Sequence, residues 1–147
     1  MVHKPEDILK QLKENEYAPI YFLSGSEVFY IDQIAEFNEE NALPESQKGF
    51  NQIILYGKDV AIQDIINNAK RFPMMSDRQV VIIKEAQDIQ DFNNQAGQEA
   101  LMNYFQNPLP STILVFAYKN KSLDKRKTFF KNLQQHTIVV ESKKLYD

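Results

Sequence analysis

Short, nearly continuous apolar runs alternate with longer stretches whose apolar residues recur every three or four positions. This alternation constrains the fold more than any other feature of the chain. Five runs, each rich in Val, Ile, Phe or Tyr, read as strands: Ile20 to Leu23, Gln52 to Tyr56, Gln79 to Lys84, Thr112 to Tyr118 and Thr137 to Glu141. Val80 to Ile83 is apolar at every position, the pattern of a strand covered on both faces. Helical spacing fills the intervals. It is carried by Ile8, Leu9 and Leu12; by Ile31, Ile34 and Ala35; and by Ile62, Ile65, Ile66 and Ala69 in a helix read as Val60 to Arg71. Leu101, Tyr104 and Phe105 belong to a helix stopped by Asn107 and Pro108, and Phe129, Phe130 and Leu133 to one starting near Ser122 or Asp124. The alternation predicts an α/β fold: a mainly parallel five-stranded sheet flanked by helices, with right-handed crossovers. No internal repeat, low-complexity tract or linker divides the sequence, so residues 1–147 are expected to form a single domain.

Composition narrows the function classes. With 147 residues, 43% apolar and 25% charged, the chain can build one core without a disulfide or structural metal. It has no cysteine, which excludes a disulfide frame, a thiolate zinc site and a cysteine nucleophile, and makes the cytoplasm the expected compartment. The longest apolar runs, Val80 to Ile83 and Ile113 to Ala117, fall far short of the roughly 20 residues that span a bilayer, so no membrane association is expected. The N-terminus mixes His3, Lys4, Glu6, Asp7 and Lys10 with isolated apolar residues and is no signal peptide. A formal net charge of −3 argues against bulk attraction to nucleic acid, although a local basic patch is compatible with it.

In open parallel sheets, ligands bind beyond the carboxyl ends of the strands, so the loop after the first run is the place to look for catalysis. It reads Ser24-Gly25-Ser26-Glu27-Val28-Phe29-Tyr30-Ile31-Asp32. Set against the phosphate-binding pattern G-x-x-x-x-G-K-[ST] from Gly25, the second glycine is Tyr30, the lysine is Ile31 and the hydroxyl residue is Asp32. Tyr30 denies close backbone approach, Ile31 supplies no cation, and Asp32 with Glu27 repels a triphosphate. The plain reading is a strand-to-helix turn, with Gly25 for tight geometry and Ser26 as helix cap. After the third run, Lys84 stands where a nucleotide hydrolase holds magnesium with an aspartate. Both half-matching loops suggest a nucleotide-hydrolase scaffold without the activity. His3 and His136 have no ligand spacing around them, and the pairs Glu39 with Glu40 and Asp88 with Asp91 read as solvated charges. No catalytic residue, metal or cofactor is therefore expected.

Two features look like binding. Phe72-Pro73-Met74-Met75-Ser76-Asp77 follows the 60–71 helix, where Pro73 is expected to end the helix and display Met74 and Met75 on a connection. Two adjacent large apolar side chains on a loop cannot easily both point inward, and methionine adapts well to irregular apolar grooves. The competing reading is that Phe72 and one methionine plug the end of the sheet. The second feature is the basic cluster Lys119, Lys121, Lys125, Arg126, Lys127 and Lys131, interrupted by Asp124, which is either a solvated face or a phosphate contact centred on Lys125 and Arg126.

The order and spacing of several segments resemble the N-terminal domain of the delta subunit of the bacterial DNA polymerase III clamp loader. They are Pro19-Ile20-Tyr21-Phe22-Leu23-Ser24-Gly25-Ser26-Glu27, Phe72-Pro73-Met74-Met75-Ser76-Asp77-Arg78-Gln79-Val80-Val81, Asn107-Pro108 with Ser111-Thr112, and Leu123-Asp124-Lys125-Arg126. The resemblance covers almost the whole chain. It implies an AAA+ P-loop-NTPase-like core with a degenerate nucleotide site, in agreement with Gly25, Tyr30, Ile31 and Asp32. It further implies a non-catalytic subunit that binds the sliding clamp (the beta subunit) through a pair of apolar residues before the third strand. That binding helps open the ring during DNA replication. Those positions fall on Met74 and Met75, with Phe72 and Pro73 setting the loop's exit angle; Leu-Phe is a familiar pair there, so Met-Met keeps the bulk and changes the identity. The lid and collar of the family, and with the collar its other clamp-loader partners, fall outside this sequence, which reaches the expected handover near Lys144, Leu145 and Tyr146. DNA contact is expected to be indirect or weak. Two other functions stand beside this one: a nucleotide-binding or nucleotide-hydrolysing protein on the same scaffold, and a DNA-binding fragment using the 119–131 cluster.

Overall fold

The computed structural model describes residues 2–144, so Leu145 and Tyr146 of the expected handover lie outside the described residues. Six strands form one sheet: β1 Val2–His3, β2 Ile20–Gly25, β3 Gln52–Tyr56, β4 Gln79–Lys84, β5 Thr112–Lys119 and β6 Ile138–Glu141. Their order is β1-β6-β2-β5-β4-β3, and every neighbouring pair is parallel. Five strands were expected, and the sixth is β1, where Val2 and His3 pair with Val139 and Val140. A two-residue strand has no periodicity to read, and its pairing draws on the far end of the chain. His3 is thus held in a ladder at the sheet edge.

The helices are α1 Pro5–Lys13, α2 Val28–Asn41, the single turn α3 Lys48–Asn51, α4 Ile62–Ala69, α5 Gln95–Gln106 and α6 Thr128–His136. They make two layers around the sheet, and the strands divide their side chains between them with the period of two that a pleated strand imposes. Tyr21, Leu23, Val80, Ile82, Val115 and Ala117 pack with Ile8, Leu12, Ile31 and Ile34 of α1 and α2. Phe22, Val81, Ile83, Leu114 and Phe116 pack with Ile65, Leu101, Phe105, Phe129 and Leu133 of α4, α5 and α6. On this second face the rings of Phe22 and Phe116 lie 5.4 Å apart, and those of Phe92 and Phe129 meet edge-to-face at 5.5 Å. Aromatic pairs at such spacing add about 0.5 to 1.5 kcal/mol beyond area burial.

Two helix boundaries differ from the sequence reading for local reasons. The Asp124 carboxylate accepts from the Arg126 backbone N–H at 3.0 Å, closing a turn that competes with helix, so α6 begins only at Thr128. α4 ends at Ala69, before Pro73 is reached. Its last carbonyls are taken by two buried polar side chains: the Gln79 amide nitrogen lies 2.8 Å from Arg71 O and 2.9 Å from Asn68 O, and the Thr112 hydroxyl donates to Ala69 O at 2.7 Å. Side chains from two neighbouring strands therefore stop the helix.

Candidate functional site

The sheet has two ends, and the sequence-predicted residues divide between them. Gly25, Tyr30, Ile31 and Asp32 lie at the carboxyl end, while Phe72, Pro73, Met74 and Met75 lie before β4, at the amino end. Lys125 and Arg126 follow β5 on the carboxyl side.

At the carboxyl end most of the charged groups near the loop are bound by the chain's own side chains. Gly25 has φ +127°, and a β-carbon there would overlap the Ser142 carbonyl, so the position requires glycine to let β6's continuation pass. One of the helix-entry N–H groups, where a phosphate would be received, is met by the chain's own carboxylate: Glu27 Oε1 accepts from Phe29 N at 3.0 Å. Glu27, and not the expected Ser26, is the cap; the Ser26 hydroxyl instead accepts from Lys144 N at 3.3 Å. Ile31, at the position of the motif's lysine, is fully buried in the core, and the Tyr30 ring meets Phe29 edge-on at 5.2 Å. Asp32 is bound by Lys119 Nζ at 2.6 Å, and the same ammonium reaches Glu85 at 3.1 Å. Gln87 completes the cluster by donating to Glu85 at 2.9 Å and accepting from Lys119 N at 2.9 Å. The Gln87 amide, aided by the Lys119 ammonium, holds the Glu85 carboxyl below its ordinary range against the opposing effect of desolvation. Desolvation pulls the Lys119 ammonium down, but its bonds to Asp32 and Glu85 outweigh this and leave it raised. Lys84 pairs with Glu39 of α2 at 3.1 Å.

This network also removes Lys119 from the basic cluster. Of the two predicted phosphate contacts, Arg126 is held by both carboxylate oxygens of Asp124 at 3.1 and 3.0 Å, and Lys125 lies 3.3 Å from Glu141. The Arg126 guanidinium lowers the Asp124 carboxyl to about 2. Among the described residues no group of three or more His, Asp or Glu is placed to hold a metal ion, and no helix is long and apolar enough to cross a membrane.

The amino end is the opposite. Phe72, Met74 and Met75 are 75%, 55% and 99% exposed, so none of the three plugs the sheet. Yet the loop's backbone is fixed. The buried Asn51 side chain accepts from Met74 N at 2.6 Å and donates to Met74 O at 2.8 Å, so one amide reads both polar groups of one residue. The Ser76 hydroxyl lies 2.6 Å from Gln47 Oε1 and 2.9 Å from Arg78 O, which ties the far side of the loop to the residue preceding α3. Arg78 stacks its guanidinium over the Tyr17 ring at 4.9 Å. Between these ties Met75 adopts φ +55°, a left-handed conformation that a methionine occupies at a cost of about 1 to 2 kcal/mol. Asn51, Gln47 and Gln79 are the positioning residues that the sequence did not single out. The one available signal was polar side chains flanking strands at positions the fold would bury.

Residues 21–143 match the family described as DNA polymerase III, delta subunit. The DNA polymerase III subunit delta of Bacillus subtilis (strain 168) is 29% identical over 143 residues, 95% of this chain and 41% of the relative. The solved structure of the Bacillus subtilis DNA clamp loader delta protein is 28% identical with a TM-score of 0.82, covering 96% of this chain and 43% of that one. Two Thermotoga maritima structures bear on the fold alone. A DNA polymerase III gamma subunit-related protein has a TM-score of 0.60 at 15% identity, over 95% of this chain and 46% of its own. The RuvB Holliday junction branch migration motor has 0.52 at 18%, over 93% and 44%. The chain thus spans less than half the length of these relatives, and its fold is AAA+-like.

Proposed function

The chain belongs to the DNA polymerase III delta-subunit family, and on that premise we propose that it is a non-catalytic clamp-loader module that grips the sliding clamp with the 71–78 loop. The observation that carries the reading is the pair of adjacent methionines held in solvent by a loop whose backbone is pinned at Met74 and Ser76. Met74 and Met75 enter an apolar groove on the clamp, and Phe72 and Pro73 set the angle at which the loop leaves α4. Full burial of two such side chains contributes roughly 3 to 6 kcal/mol, at about 1.5 to 3 each. Association entropy and side-chain ordering offset much of this, and a prefixed backbone reduces the ordering part.

Ring opening follows if the loop binds a clamp with a distorted subunit interface more tightly than a closed one. The shift is limited by that difference in affinity. In the whole protein the module works beside other clamp-loader subunits, touches DNA indirectly or weakly, and acts in the cytoplasm. The test is retention of the cognate clamp by immobilised chain, wild type against the Met74→Ala, Met75→Ala double variant. A loss of about 30-fold or more in affinity is expected, equivalent to about 2 kcal/mol. Equal retention removes the proposed role.

A further inference from the structure

Six large apolar side chains stand exposed among the described residues: Phe29, Phe50, Tyr56, Phe72, Met74 and Met75. Scattered singly such residues need no explanation, but a group on one surface does. Phe72, Met74 and Met75 lie in the loop before β4. Phe50 lies on α3, immediately before Asn51, the residue that binds Met74 through both backbone groups. Gln47, which precedes α3, is bonded to Ser76 in the same loop. β3 and β4 are parallel neighbours, so α3 and the loop enter the same edge of the sheet side by side. Phe29 instead lies past the carboxyl end of β2, and Tyr56 is the last residue of β3, at the same carboxyl end of the sheet.

We propose that α3 is a second prong of the clamp-binding surface, with Phe50 docking against the sliding clamp beside Met74 and Met75. This rests on the reading of the 71–78 loop given above. Phe50 is 70% exposed and so contributes little to the core. A β-carbon at Gly49 would meet nothing within 4 Å, which leaves the outer face of α3 open to an incoming chain. The two prongs are complementary in kind. Methionine adapts to the groove it enters, whereas a phenyl ring on a helical turn has few rotamers to lose and makes a rigid anchor. A tip alone fixes one point of contact. A second point, bonded to the first through Asn51, fixes the rotation of the module on the ring.

The experiment measures equilibrium binding of the full chain to the cognate clamp. Phe50→Ala is expected to weaken binding about tenfold with the loss mainly in the off-rate. Gly49→Gln, which puts neutral bulk into open space, is expected to weaken it as well, and Tyr56→Ala, on the other end of the sheet, to leave it unchanged. Phe50→Ala and Gly49→Gln both binding like wild type, while the Met74→Ala, Met75→Ala variant fails, overturns the second prong and leaves the loop reading standing. A wild-type chain that ignores the clamp, or a double methionine variant that binds it normally, overturns the loop reading and this inference with it. If Phe50→Ala lowers the melting temperature, Gly49→Gln decides.

Discussion

The two ends of the sheet solve opposite problems. At the carboxyl end, where open α/β sheets usually take a ligand, Glu27 caps the helix entry, and Lys119 stands between Asp32 and Glu85. At the amino end the 71–78 loop is tied by bonds that run behind it, through Asn51 and Gln47, so the apolar side chains are turned outward, while the neighbouring Gln52 Oε1 is buried without a hydrogen-bond partner. Among the described residues the amino end gathers Phe50, Phe72, Met74 and Met75 on one exposed surface, whereas Phe29 and Tyr56 stand apart at the carboxyl end. At the carboxyl end charged groups turn on one another, and at the amino end a tied backbone leaves apolar side chains exposed.

Backbone substitution at the two ends is the strongest test of that contrast. Gly25 has φ +127° and no room for a β-carbon against Ser142. Gly25→Ala is expected to lower the unfolding free energy by about 3 kcal/mol or more, because strain and overlap with backbone act together. Urea denaturation measures it. A loss under about 1 kcal/mol would mean that this end is looser than its bonding implies.

The next effect in size is electrostatic. Lys119→Met leaves Asp32 and Glu85 without their shared cation; both carboxylates are partly solvated, at 45% and 40% exposure, so the cost at neutral pH is about 1 kcal/mol after screening. The pH profile carries the signature. The Glu85 carboxyl is held below its ordinary 4.5, so its contribution is present above that pH and is lost as pH falls through the lowered folded value. Lys119 is raised above 10.5, so its contribution is present below that pH and is lost as pH rises through the raised folded value. In Lys119→Met the alkaline loss should vanish and the acid loss should shrink without disappearing, because Gln87 still donates to Glu85. An unchanged acid limb would detach Glu85 from Lys119.

The carboxyl end was the more legible of the two in sequence. Each failed motif position is a single residue whose chemistry speaks for itself, and Val80 to Ile83 announced a strand covered on both faces. β3 and β4 match their apolar runs to the residue. What stayed hidden depends on partners distant in the chain. β1 is two residues long and is a strand only because β6 lies beside it. Asn51 reaches Met74 across 23 positions, and Lys119 reaches back to Asp32, so neither pairing leaves a local pattern. Met74 and Met75 could be suspected as a tip from adjacency and Pro73, but the fixing of that tip could not.

The smallest stability effect is the most informative about the amino end. Met75 holds φ +55° with its side chain in solvent, so nothing in the core rewards the conformation. Met75→Gly removes a left-handed strain of about 1 to 2 kcal/mol and adds about 0.5 to 1 kcal/mol of lost chain entropy on folding. The unfolding free energy should therefore stay the same or rise by up to about 1.5 kcal/mol, while clamp binding falls with the missing side chain. That is the reverse of Gly25→Ala: a glycine is welcome at one end and indispensable at the other. Stability and binding would separate in one variant, which follows if the strain at Met75 serves presentation of the side chain outward. If Met75→Gly instead destabilises by more than about 1 kcal/mol, the methionine has a structural role in the folded chain, and the contrast between a self-satisfied end and a presenting end fails at the residue that defines it.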